Sequence, residues 1–317
     1  MKIVAIGGGT GLSILLRGLK VISSDITAVV TVADDGGGSG VLREDLGMLP
    51  PGDIRNCILA LANKEPILQD LFQYRFPEGR LKGQNFGNLM IAAMQGISEN
   101  FEDAVKKTSD IFAITGKVLP VCDTQMVLYA ELTDGIKVVG ESNIPLEVVK
   151  RSSKVERIWI EPKDVQSGFE ILTAIENADV IVLGPGSLYT SVIPNLLVDN
   201  LIAALNTTKA KIVYICNIMT QPGETDHYKA SDHVKSLFKH TKLERIDTVF
   251  VNSGSIEMDQ IEHYLLEEAS PVQYDDECKA YFFEEGIAVV EENLIEVVKR
   301  YVRHDAVKIA NILMTMS

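Results

Sequence analysis

The chain has 317 residues, 46% of them apolar, which is enough for a substantial core and excludes a disordered polypeptide. Its 44 acidic against 30 basic residues give a formal charge of −14 with no Lys/Arg stripe, so nucleic acid is not an expected partner. No run approaches the roughly 18 apolar residues that span a bilayer and no leader-like segment opens the chain, so a cytoplasmic protein with no membrane partner is expected.

The opening segment, "KIVAIGGGTGLSILLRGL", reads as a buried strand, a glycine cluster and a helix, and "ITAVVTVA" follows as a second strand ending near Asp34. Together they predict a βαβ unit with parallel strands. The glycine cluster does not complete G-x-G-x-x-G, because Gly7 and Gly9 are followed by Leu12, and no G-K-[ST] of a P-loop is present. What remains is the mechanism behind both motifs: glycines at a strand end let backbone N–H groups and a helix N-terminus approach a phosphate. Gly8, Gly9, Thr10 and Gly11 are the candidates; a plain strand-to-helix turn is the alternative.

A second loop, "ADDGGGSG", brings Asp34, Asp35, Gly37, Gly38 and Ser39. An acid about 20 residues beyond the first loop suits the ribose hydroxyls of a dinucleotide such as NAD, and adjacent carboxylates suit Mg²⁺ bridging phosphates. Next, "PPGDIRNCILALAN" places Asp53 to cap a helix or to face a ligand, with Arg55 and Asn56 in the first turn. A cation there opposes the helix dipole, which a phosphate or carboxylate partner would explain. "GQNFGNLMIAAM" sets Asn85 and Asn88 around another helix start, within a stretch from Asp53 to Ile114 that reads as a helical insertion.

"MVLYAELTDGIKVVGES" predicts a β-hairpin about Asp134-Gly135, and from "RIWIEP" onward strands and helices alternate as a second parallel segment. There "VIVLGPGSLYTSVIPNLLV" repeats the opening design, with Gly184, Pro185, Gly186, Ser187, Tyr189 and Thr190 as a phosphate cradle, and "YICNIMTQPGETD" adds Asn217, Thr220 and Gln221 at a further strand end. Asn252 follows in "VNSGS", and "LIEVVKRYVRHDAVKIANILM" reads as a closing helix. The four scattered cysteines read as reduced core thiols, and His233, His240 and His263 as solvated helix faces. The expected fold is a single α/β domain over 1–317, a Rossmann-like parallel sheet with helices on both faces: an N-terminal half at 1–116, a hairpin insertion at 118–143 and a second half at 155–317. Its two glycine loops should face one crevice.

Taken together, "GGGTG", "DDGGGSG", "PPGDIRN", "NFGNL", "GPGSLYTSVIPNLL" and "NIMTQPGETD" closely resemble the YvcK-type gluconeogenesis factors, bacterial relatives of the 2-phospho-L-lactate transferase (CofD) family. The resemblance covers nearly the whole chain. It implies binding of a UDP-sugar such as UDP-N-acetylglucosamine, and support of cell shape and envelope synthesis on gluconeogenic carbon sources, with no settled catalytic activity. Envelope-synthesis proteins and a second copy of the chain, as a homo-oligomer, are the protein partners to expect, and no cofactor is required. The transferase relatives hold Mg²⁺ through acids in such loops, which makes Asp34 and Asp53 the candidate metal and catalytic residues. The second acid of their third loop falls here on Arg55, an exchange that suits anion binding rather than metal-assisted transfer.

Overall fold

In the computed structural model, which describes residues 1–63, 66–266, 268–298 and 301–316, the two opening runs form β1 (Ile3–Gly7) and β2 (Ile26–Val30), buried at every residue. Continuous apolar sequence is what a strand covered on both faces requires. β3 (Lys117–Pro120) pairs parallel with β2 at the sheet edge, where a proline that lacks an N–H is tolerated. This strand falls inside the segment expected to be a hairpin insertion, so the insertion begins only after it.

The predicted hairpin is present as β4 (Val127–Leu132) and β5 (Lys137–Val139), but β6 (Val155–Glu161) pairs antiparallel with β4 and makes a separate three-stranded sheet. The second parallel segment therefore does not start at "RIWIEP". In β4 every second residue is buried, the pattern of a strand with one covered face. β7 (Val180–Leu183), β8 (Lys211–Ile215), β9 (Thr248–Asn252) and β10 (Ala288–Glu292) complete a seven-stranded, all-parallel sheet in the order β10-β9-β8-β7-β1-β2-β3. Strand order reverses between β1 and β7, and outside the carboxyl ends of those two strands the connecting loops separate.

β11 (Ile295–Val298) and β12 (Tyr301–His304) form an antiparallel pair where a single closing helix was expected. The β-branched residues of "IEVV" favour this over helix, and the helix proper begins at Ala306, capped by Asp305 accepting from the Lys308 N–H at 2.9 Å. No single helix among the described residues is long and apolar enough to cross a membrane.

All four cysteines are buried and free. The histidine expectation fails at two positions. His233 is fully buried, with Nδ1 3.0 Å from the Lys229 carbonyl, and His240 packs edge-on against Tyr189. The side chain of His263 lies outside the described residues.

Helix Gly9–Ile22 packs on helix Gly52–Leu61 and on helix Ala306–Thr315. The second crossing has no room for a side chain, since a Cβ on Gly18 would lie 2.1 Å from the Ala306 carbonyl oxygen. Gly18→Val should cost about 1–3 kcal/mol or more through overpacking, read as a lowered midpoint in chemical denaturation; a variant as stable as the parent would show that the helices are not so closely apposed.

Candidate functional site

After β1 the backbone passes through Gly8, extended at φ −171°, and enters helix Gly9–Ile22 with Gly9 at φ +63°, a conformation that favours glycine. That helix has no side chain of its own N-cap bonded to it and no acid in its first turn, and of its N-terminal donors the Gly9 N–H is directed to Asp53. After β7, Gly184 turns at φ +73° and the chain continues through Ser187 into a wide helical turn at Leu188–Val192. The loops meet backbone to backbone. A Cβ on Gly11 would lie 2.5 Å from the Pro185 carbonyl oxygen, and one on Gly8 would lie 2.6 Å from both an Asp53 carboxylate oxygen and the Thr31 methyl.

Both loops line one crevice of about 550 Å³. Of the residues expected at a site, Gly8, Gly9, Thr10, Gly11, Asp34, Asp53, Pro185, Gly186, Ser187, Thr190, Asn217, Thr220 and Gln221 are on its walls. The crevice also takes in Ser191, a further hydroxyl of the expected phosphate cradle, and Thr31, Glu141, Arg303 and His304, which the sequence did not single out.

Several expected residues serve the frame instead. Asp53 does not cap its helix; it stands in the first turn, after Pro51 and Gly52, and faces the crevice. Asp35 accepts from the Ser142 N–H at 2.9 Å, which ties the end of the small sheet to the loop after β2 and brings Glu141 to the crevice wall. Gly37 and Gly38 open helix Gly37–Leu46 away from the crevice, and Ser39 is buried behind Gly52, where a Cβ would come within 2.5 Å of its hydroxyl. The Tyr189 hydroxyl bonds that of Tyr228 at 2.8 Å, on the far side of its own backbone contribution. Asn85 caps helix Phe86–Gln95 by accepting from the Asn88 N–H at 3.1 Å. Asn252 likewise holds the Gly254 and Leu294 N–H groups. Arg55 donates to Asn88 Oδ1 and Asn56 Oδ1, both at 2.9 Å, and with Asn56 and Asn85 it lines a neighbouring chamber.

Hydroxyl and amide groups in the second loop are cross-linked. Glu224, buried, accepts from the Tyr189 N–H at 3.0 Å, the Thr190 hydroxyl at 3.1 Å and the Gln221 amide at 2.8 Å, while the Ser187 hydroxyl donates to Gln221 Oε1 at 2.8 Å. Burial and like charge raise the carboxyls here. Glu141 goes up to about 8, mainly from loss of water and then from Asp34; Asp53 goes up to about 6 from burial and Asp34, opposed by the Gly9 N–H; and burial raises Glu224 to about 7. Asp34 and Asp53 are two hard oxygen donors of the kind Mg²⁺ prefers, but no group of three or more His, Cys, Asp or Glu among the described residues is arranged to hold a metal.

The family model described as "2-phospho-L-lactate transferase CofD" matches residues 3–295. The chain belongs to the CofD family. A protein of Thermoanaerobacterium thermosulfurigenes is 56% identical over 313 residues, 99% of this chain and 96% of its own length. The Bacillus subtilis (strain 168) protein named gluconeogenesis factor is 46% identical over 317 residues, covering 99% of this chain and 98% of the relative. A crystal structure from Bacillus halodurans, of a member of the UPF0052 family, superposes with a TM-score of 0.94 at 43% identity over 99% of both chains. The α/β architecture is thus shared with that structure.

The raised carboxyls make a pH prediction for this CofD-family crevice. A carboxyl that holds its proton more tightly when folded contributes stability that is complete below its unfolded value and is lost as pH rises through its folded value. Buried His233, His240 and His304, lowered by burial to about 4 from 6.5, act oppositely and only below pH 6.5. Stability should therefore decline from about pH 6.5 to 8, and Glu141→Gln should flatten that decline in urea denaturation; an unchanged slope would show that Glu141 ionises without penalty.

Proposed function

We propose that the protein is a nucleotide-sugar receptor of the cytoplasm whose crevice takes a UDP-sugar, with UDP-N-acetylglucosamine the favoured ligand. Through it the protein would regulate cell shape and envelope synthesis during growth on gluconeogenic carbon sources. The observation that carries this reading is the meeting of two glycine loops at the strand-order reversal, with a helix N-terminus between them. Backbone donors there suit a diphosphate without needing lysine. Glu141, raised to about 8, supports the reading as well, because a protonated carboxyl presents a donor to a phosphate or sugar oxygen where an ionised one would repel it. The name of the Bacillus subtilis relative connects the family to gluconeogenesis.

The hydroxyls of the crevice divide between the two readings. Ser187 donates to an amide oxygen, Gln221 Oε1, and His304 directs Nε2 to the Cys216 carbonyl at 3.0 Å, which suits a receptor, whereas Thr190 donates to the Glu224 carboxylate at 3.1 Å, the contact by which a base activates a nucleophile. The second reading, a Mg²⁺-dependent transferase acting on a nucleotide-linked phospho-hydroxyacid donor, draws on Asp34 and Asp53 facing the crevice together.

Calorimetry with UDP, UDP-N-acetylglucosamine, NAD and GDP should give saturable binding for the uridine compounds. At 100 times Kd the ligand should add about 2.7 kcal/mol to stability, visible as a thermal shift. Gly11→Ala, which forces the loops apart, should weaken binding at least tenfold. No binding of any of these nucleotides would overturn the proposal, and metal-dependent consumption of a nucleotide-linked donor, lost in Asp53→Asn, would replace it with the transferase.

A further inference from the structure

A second chamber, of about 680 Å³, shares Thr10, Ile14 and Arg303 with the crevice. Four arginines line it: Arg17 and Arg55 from two adjacent helices, Arg75 from the segment before Asn85, and Arg303 from β12. For a chain of charge −14 this is an unusual concentration of one sign. None of the four pairs with a described carboxylate; the arginine ion pairs among the described residues are those of Arg151 and Arg245. Arg75 donates to the Gly83 carbonyl, and the Arg303 guanidinium lies over the Tyr301 ring at 5.1 Å. Arg55 uses its two terminal nitrogens on Asn88 and Asn56 and leaves Nε buried without a partner.

Two acids on the same walls offset part of this charge and leave the arginines in excess: Asp305 caps a helix, and Glu296 stands opposite Arg303 in the β11–β12 pairing. Burial, and then the charge of Arg75, lower the pKa of Arg55, so the two guanidiniums stand close enough to repel. An anion between them would turn that repulsion into attraction, and planar guanidinium groups match carboxylate and phosphate oxygens two at a time. Gln73 and Asn56 add amide groups suited to a hydroxylated scaffold.

We propose that this arginine-lined chamber is a second anion-binding subsite, taking a carboxylate or phosphate carried on a small hydroxylated molecule beside the nucleotide crevice. The anion has two sources: an acidic group on the sugar of a nucleotide-sugar whose diphosphate lies in the crevice, or a separate sugar phosphate. The first source rests on the nucleotide reading above; the second does not.

Calorimetry separates them. UDP-glucuronate and UDP-glucose differ by a carboxylate in place of a hydroxymethyl group, and glucose 6-phosphate carries the anion without a nucleotide. The expected result is at least a tenfold preference for UDP-glucuronate, or saturable binding of glucose 6-phosphate alone. Either should fall at least tenfold in the Arg17→Ala/Arg75→Ala double variant and persist in Arg151→Ala. Arg17 and Arg75 are exposed, so the double variant should melt as the parent does. Two results would overturn the proposal: neither preference nor glucose 6-phosphate binding, or binding that survives the double variant. Arginine-dependent binding of glucose 6-phosphate without binding of any UDP compound would leave the chamber standing and remove the nucleotide reading.

Discussion

Main chain meets main chain where the loop after β1 passes the loop after β7, and the approach is this close only because Gly11 carries no side chain. One methyl at Gly11 would intrude on the Pro185 carbonyl, and one at Gly8 would intrude on Asp53 and Thr31 together. Asn195 strengthens the same junction by donating from one amide to the Gly7 and Ser191 carbonyls, at 3.2 and 2.8 Å. The crevice, the exposed helix N-terminus and the position of Asp53 follow from this contact. Widening it would separate the donors that a diphosphate needs on both sides.

Charge is the second constraint, since on the proposed reading an acidic protein has to receive an anion. The crevice meets it by desolvating its carboxyls, so that Glu141, Glu224 and Asp53 hold protons further up the pH scale than free acids do. Asp35 contributes without touching the crevice, because its bond to Ser142 decides where Glu141 stands. Arg17, Arg55 and Arg75 are kept to one side, in the adjoining chamber, and Arg303 stands on both walls. The result is a cradle whose negative charge is reduced, beside one rich in arginine, and the second should set how strongly ligand charge counts.

The parallel strands were legible because fully buried strands need unbroken apolar runs, and "IVAIG", "ITAVV" and "VIVL" have them. β6 was misplaced because pairing is a tertiary property: "VERIWIE" carries strand propensity but nothing in it names β4 as its neighbour. Helical and β spacing are both compatible with "IEVV" and "YVRH", so the hairpin that carries Arg303 and His304 to the crevice went unread. The glycine loops were visible because close approach leaves a compositional mark. Glu141 and Glu224 were not, because a glutamate in a turn is ordinary until folding removes its water.

Asp53 and Arg55 show how far adjacency in sequence can mislead about a site. Read in line they belong to one loop, yet two residues along a helix turn the side chain through about 200°, so the pair diverges. Asp53 goes to the crevice and Arg55 to the chamber, and the wall the two cavities share is made by Thr10, Ile14 and Arg303. The exchange of an acid for Arg55 therefore changes the neighbouring chamber and leaves the crevice acids where they were. A group bound to Arg55 and a group bound beside Asp53 would meet the same helical turn from different sides.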